Sequence, residues 1–100
     1  MNATEAVKAG REACRALRRL DRSGGTSAAT GAAQRRHWQT LNDALALLNG
    51  YGWNGLADAI MEEDAMIDRL YDARKLGQDR PELKARLRKA RATLRTVSAS

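Results

Sequence analysis

Phenylalanine is absent from this 100-residue chain, and cysteine, proline and histidine occur once each, beside two tryptophans and two tyrosines. A single cysteine, Cys14, excludes an internal disulfide framework. A single histidine, His37, has no second histidine and no nearby cysteine with which to share a metal, so it is read without a ligand role. One histidine, one cysteine and no glycine-rich phosphate loop leave no nucleophile–base pair to build a catalytic site on. The paired carboxylates that do occur lie on a face expected to be solvated. The expectation is therefore a protein without enzymatic activity, cofactor or metal. There is also no apolar run long enough to cross a bilayer and no leader of the charged-then-apolar kind, so a soluble, cytoplasmic protein without membrane contact is expected.

Large apolar residues are scarce too. Hydrophobic types make up 43% of the chain, but 19 of those residues are alanine and only 16 are leucine, isoleucine or valine. With a formal net charge of +6, this composition leans toward chains that fold weakly alone. Helical periodicity argues against disorder. A thin core that gains from a partner or a second copy, as in a homo-oligomer, is the consequence.

What is present is a segregation of charge. Residues 1–37 carry net +5, residues 38–53 net −1, residues 54–72 net −5 and residues 73–100 net +7. Arginine outnumbers lysine 14 to 4. A GC-rich genome would produce that bias without any functional cause. The alternative is selection for the planar guanidinium fork, which engages phosphate and carboxylate in two-pronged fashion.

The stretch from His37 to Arg74 reads as two helices joined by a Gly-Tyr-Gly-Trp corner. Trp38, Leu41, Leu45 and Leu48 share one face of the first, with Ala44 and Leu47 widening the stripe. Gly50 is the expected stop and Asn54 the expected cap of the second. On the second helix Leu56, Ala59, Ile60, Met66, Ile67, Leu70 and Tyr71 form the apolar face, and Asp58, Glu62, Asp68 and Asp72 the acidic one, with Asp64 on the flank. Glu63 breaks the pattern by projecting into the apolar arc. Its ordinary reading is a carboxylate at the rim of the core held by an arginine; the sharper one is a specificity contact to a partner.

Asn2-Ala3-Thr4-Glu5 has the form of a capping box, and a helix follows to about Arg22. Val7, Gly10, Cys14 and Leu17 make its narrow seam, Gly10 allows close approach of another helix, and Cys14 reads as a small core residue. Lys8, Arg11, Arg15, Arg18, Arg19 and Arg22 share an adjacent arc, which needs counter-charge from the acidic helix or from a partner. Ser23 to Ala33 reads as a flexible linker within a single domain of residues 1–100, with helix resuming near Ser27 or Thr30. Asp79-Arg80-Pro81-Glu82 forms a second capping box with proline in the first turn. Leu83, Leu87, Ala90, Leu94 and Val97 then make a coiled-coil-like seam, flanked on one side by Lys84, Arg88, Arg91 and Arg95 and on the other by Arg86 and Lys89. The tail from Ser98 to Ser100 is expected to fray. The fold class is all-α, a small bundle of about four helices built around the central helical hairpin.

The basic faces suit a nucleic-acid backbone, which needs no sequence readout. The hairpin has the outline of a helix-turn-helix, yet its second helix carries six acids and one arginine and is the wrong sign for the major groove. Aromatic residues are too few and too far from the basic stripes to stack bases. A docking module for protein or ribonucleoprotein explains the thin core, the outer seams and the opposed charges. Arginine and tryptophan are frequent interface anchors, and Trp53 at the corner is the best single aromatic candidate, its alternative role being a lid on the hairpin core. The acidic face of residues 58–72 could also imitate a phosphate backbone, although an ordinary solvated face explains it as well. The expected partner-binding residues are Arg11, Arg15, Arg18, Arg19 and Arg22 on the first helix, Trp53, and Arg88, Arg91 and Arg95 on the last. Nonspecific binding to DNA or RNA backbone is the alternative.

As a short, single-domain, motif-free chain of this character, the protein resembles accessory proteins of phages and mobile elements, and among them the small helical anti-CRISPR proteins. That resemblance implies a non-catalytic inhibitor that docks on an RNA-guided complex and blocks its nucleic-acid binding, with the basic helices on acidic protein or guide-RNA backbone. It covers general character only and assigns no residue a role.

Overall fold

Asn2 starts the first helix, α1 (Ala3–Ser23), with an extended backbone and a side-chain oxygen that accepts the Glu5 amide at 2.8 Å, the cap expected of the Asn-Ala-Thr-Glu box. The structure is a computed structural model and describes residues 1–24 and 27–98. The second helix, α2 (Ala28–Gly50), is capped in the same way by Ser27, whose hydroxyl accepts the Thr30 amide at 3.1 Å. The Ser23–Ala33 stretch is thus mostly not a linker. Ser23 ends α1, residues 28–33 belong to α2, and Gly25 and Thr26 lie outside the described residues. Once Ser27 satisfies the first free amides, the alanines behind it have the highest helix propensity of any residue.

The corner between α2 and α3 (Asn54–Lys75) turns on Gly52 rather than Gly50. Gly52 has φ of +79°, which only glycine adopts freely. Its amide bonds the Asn49 carbonyl at 3.0 Å, and the Trp53 amide bonds the Leu48 carbonyl at 2.8 Å, the pair of bonds that defines a Schellman ending. That closure fixes the chain at Trp53, so α3 begins at Asn54 with Trp53 in the cap position and no side-chain cap; the expectation of Asn54 as cap is off by one residue. The end of α3 repeats the device with Gly77, and the Gln78 amide reaches the Ala73 carbonyl at 2.8 Å.

The last helix, α4 (Pro81–Ser98), opens on proline as expected, but Asp79 does not cap it. The Arg80 carbonyl accepts the amides of Leu83 and Lys84 at 3.1 and 3.2 Å, which places Asp79 one residue too early. Its carboxylate takes the Lys84 ammonium at 2.9 Å, and Glu82 pairs with Arg80. Of the tail, Ser98 is the last helical residue, and Ala99 and Ser100 lie outside the described residues.

The result is an all-α bundle of four helices. α1 lies most extensively against α2, and α3 against α4, while α1 and α3 meet along the middle. The helices expected to form one central hairpin, α2 and α3, share the corner but touch each other far less than either touches its other sequence neighbour. Their stripes point at α1 and α4 instead. The extents of 38 × 38 × 18 Å describe a slab about two helices thick. The Cα radius of gyration of 14.4 Å exceeds the ~13 Å usual for this length, as a thin core requires.

Leu41, Leu48, Ile60, Met66 and Leu94 are the largest fully buried side chains, each contributing roughly 1.5–3 kcal/mol by leaving water. Around them the core is mostly alanine, with Val7, Cys14 and Leu83. Gly10 provides the close approach read from the sequence: a Cβ there would stand 3.2 Å from Ile60 Cδ1 and 3.6 Å from Ala44 Cβ. Burial pushes the Cys14 thiol up to about 11, with the nearby Asp64 carboxylate acting in the same sense, so this cysteine is an inert packing residue. Trp38 departs from its expected place. The buried stripe of α2 is centred on Leu41, Ala44 and Leu48, and Trp38 falls at its edge, 51% exposed.

Candidate functional site

Glu63 is the hinge of the charge arrangement. It is the one charged residue buried among the described residues, 6% exposed, on the apolar arc of α3. Arg11 of α1 grips it with two hydrogen bonds, Nε to Oε1 at 2.9 Å and a terminal nitrogen to Oε2 at 2.7 Å. Arg91 of α4 donates to the same Oε2 at 3.2 Å. Burial alone would raise the Glu63 pKa, but the hydrogen bonds and charges of Arg11 and then Arg91 outweigh it and hold the carboxyl below its usual range. Among the described residues no buried side-chain oxygen or nitrogen lacks a partner. The ordinary reading of Glu63 is the one found, with two arginines rather than one.

The arginines of α1 divide by angle. Arg11, Arg18 and Arg22 face α3 and pair with Glu63, Asp64 and Asp68, respectively. Arg22 also lies 3.8 Å above the centre of the Tyr71 ring, with the Lys75 ammonium 4.7 Å from the same ring. Arg15 and Arg19 are exposed and have no acidic partner among the described residues. The expected stripe is thus two rows, one internal and one open.

α4 divides likewise. Arg86 bonds Glu62 at 2.6 Å, on the flank that faces the acidic side of α3. On the other flank Arg91 reaches Glu63, while Arg88 and Arg95 are exposed and unpaired among the described residues. Because Arg11 and Arg91 share one carboxylate, this flank and the α1 stripe lie side by side. The Thr4 hydroxyl donates to the Val97 carbonyl at 3.5 Å, so α1 and α4 run antiparallel. Glu63 thus brings one arginine from each basic set, Arg11 and Arg91, onto a single carboxylate.

Arg15 belongs to two depressions on that side. One, of about 310 Å³, runs along α1 and is lined by Thr4, Val7, Lys8, Arg11, Glu12 and Arg15. The other, of about 460 Å³, lies between α1 and α2 over an alanine floor of Ala9, Ala13 and Ala16, with Arg15, Arg19, His37 and Thr40 on its walls. His37 and Thr40 were not among the expected binding residues. The signal for them was the basic Arg35-Arg36-His37 entry to the second helix, which is mute about facing α1 until the pairing of α1 with α2 is known.

Trp53 is not part of this face. It is 38% exposed and stacks on Tyr51 with ring centroids 5.0 Å apart, which makes a small aromatic patch at the corner and neither a buried lid nor a partner of the arginines. Among the described residues no three His, Cys, Asp or Glu side chains stand together as a metal site, and no helix is long and apolar enough to cross a membrane. Compared with known proteins, the chain matches no family model, no curated protein and no solved structure.

Proposed function

We propose that this chain is a non-enzymatic binding protein that docks on a protein or ribonucleoprotein through the basic face of α1 and α4. The observation that carries the reading is the shared grip of Arg11 and Arg91 on Glu63. It joins two basic helix faces while leaving Arg15, Arg19, Arg88 and Arg95 exposed beside them. Exposed like charges that form no ion pair among the described residues repel one another, and an anionic partner relieves that repulsion. The likeness in character to small helical anti-CRISPR proteins extends the proposal to a phage inhibitor of an RNA-guided complex that blocks its nucleic-acid binding. Trp53 and Tyr51 supply a second, aromatic anchor.

Nonspecific binding to free DNA or RNA is the second reading, favoured by the same cations, since backbone contacts need no more than their placement. Affinity capture at physiological salt from the organism's own nucleoprotein pool, with the native chain and with the Arg15→Glu/Arg19→Glu variant, tests the first reading. A stoichiometric nucleoprotein complex held by the native chain and lost by a still-helical variant is the expected result. Equal recovery by both would remove this face from the docking site.

A further inference from the structure

We infer that the basic face is a track for the backbone of one nucleic-acid strand, running along α1 and over to α2, with Arg15 as its crossing point. This rests on the docking reading above and names what the face touches in its partner. Arg15 lines both depressions beside α1, so the cations on either side of it are continuous rather than two separate patches. In the first depression Lys8 stands on one side of it. On the α2 side stand Arg19, His37 and Arg36, the last exposed and one turn before Thr40 on the same flank of the helix.

The shape of the track selects among polyanions. The ridge of α1 runs between two shallow depressions of about 310 and 460 Å³, whose contour a narrow extended strand follows more closely than the broad cylinder of a duplex. An acidic protein segment would find side-chain carboxylates spaced by its own secondary structure. A single strand brings one phosphate per residue on a pliable chain, and the arginine fork matches each phosphate. Trp38 and Trp53 stand off the track, and neither depression is lined by a tryptophan or tyrosine, although the His37 imidazole is on the wall of the larger one. Binding is therefore chiefly through the backbone and without sequence preference. One carboxylate opposes it: Glu12 lines both depressions beside Arg15.

The test uses the full chain and a labelled 20-nucleotide single-stranded RNA of mixed sequence, titrated at 50 and 200 mM salt. Contact with about four phosphates gives a log–log salt slope near −3 and a loss of about fiftyfold in affinity between the two conditions. Reversing Arg15 and Arg19 together should weaken binding at least tenfold at 50 mM salt. Reversing Arg69 and Arg74, which are exposed on α3 and equal in charge, should change it less than threefold. Glu12→Gln should tighten it severalfold. Equal losses from the two double reversals would show attraction by net charge alone and overturn the track. Salt-insensitive binding, or none at 50 mM salt, would overturn it as well. So would displacement by an oligoglutamate of matched charge as readily as by unlabelled RNA, because the face would then be reading acidic protein. In those last cases the docking reading still stands or falls by the capture experiment, so the two failures are distinguishable. Circular dichroism on each variant confirms that the helices persist.

Discussion

α1 presents arginine in two directions, and the two rows meet opposite fates. Arg11, Arg18 and Arg22 turn toward α3, where three carboxylates receive them. Arg15 and Arg19 lie about 40° and 80° further round the helix than Arg11 and form no ion pair among the described residues. The residue type and helix are the same, so the difference is purely one of angle. Pairing also grades along the inner row. Glu63 at one end is buried and held by two arginines, whereas at the other end Arg22 and Asp68 stand 3.5 Å apart with side chains 34% and 55% exposed. The inner row holds helices together, and the outer row leaves them a field to offer a partner.

Removing Glu63 breaks this contrast most severely. Glu63→Ala leaves the Arg11 and Arg91 guanidiniums without their shared acceptor and opens a space beside Met66 and Ile60 on the same arc. Unpairing a buried charge costs about 3–5 kcal/mol; because Arg11 and Arg91 keep partial access to water, the expected loss here is about 2–4 kcal/mol. Arg15→Ala, on the outer row, should stay within about 0.5 kcal/mol. Urea unfolding followed by circular dichroism measures both. Similar losses would mean that the outer row is also structural.

How far these rows could be read from sequence depends on what each depends on. The Asn2 cap, the Gly10 approach and the buried stripe of Leu41, Ala44 and Leu48 follow from local spacing, and local spacing is what a sequence displays directly. The retention of Glu63 by arginine is visible for the same reason, since a carboxylate on an apolar arc needs a cation. Three features are not local. Arg91 joins Arg11 only because α4 returns antiparallel to α1, a fact of topology. Which α1 arginines are open depends on the direction from which α3 arrives. The weak contact of α2 with α3 depends on which partner each stripe prefers, and a corner sequence cannot express that choice. The missed positions of the caps at Gly52, Trp53 and Arg80 are shifts of one or two residues, decided by which carbonyl closes the turn.

Acid sharpens the comparison at a smaller scale. Glu63 has a lowered pKa in the folded protein, so the unfolded chain binds its proton first as pH falls. Its stabilisation is fully present above the ordinary glutamate value of about 4.3 and is lost as pH falls through the lower folded value. Asp68 acts in the opposite sense. Burial, then the neighbouring Asp64 carboxylate, raise its folded pKa above the usual range, against the pull of Arg18 and Arg22. Protonating Asp68 on mild acidification therefore favours the folded state, before the loss from Glu63 begins. Melting temperature against pH should fall steeply only below about 4.3, and Glu63→Gln should flatten that fall while lowering the plateau. A variant that keeps the native steepness would assign the acid transition to other carboxylates.

The smallest expected effect lies at the frayed end of the inner row, where it bears on what an ion pair contributes at all. Arg22 has an acid at 3.5 Å and an aromatic ring at 3.8 Å. An ion pair this exposed is worth only ~0–1 kcal/mol and weakens with salt. A cation over a ring at an exposed site adds about 0.5–1 kcal/mol and owes part of that to packing of the planar guanidinium. Arg22→Lys should keep the charge near Asp68 and lose most of the stacking, whereas Asp68→Asn removes the charge pair and leaves the ring contact intact. Arg22→Lys is expected to cost about 0.5 kcal/mol with little salt dependence. Asp68→Asn should cost less than that, because its carboxylate is already disfavoured by burial and by Asp64. If Asp68→Asn proved the costlier of the two at low salt, the row would be electrostatic along its whole length, and its division into a buried grip at Glu63 and a stacked end at Tyr71 would fail.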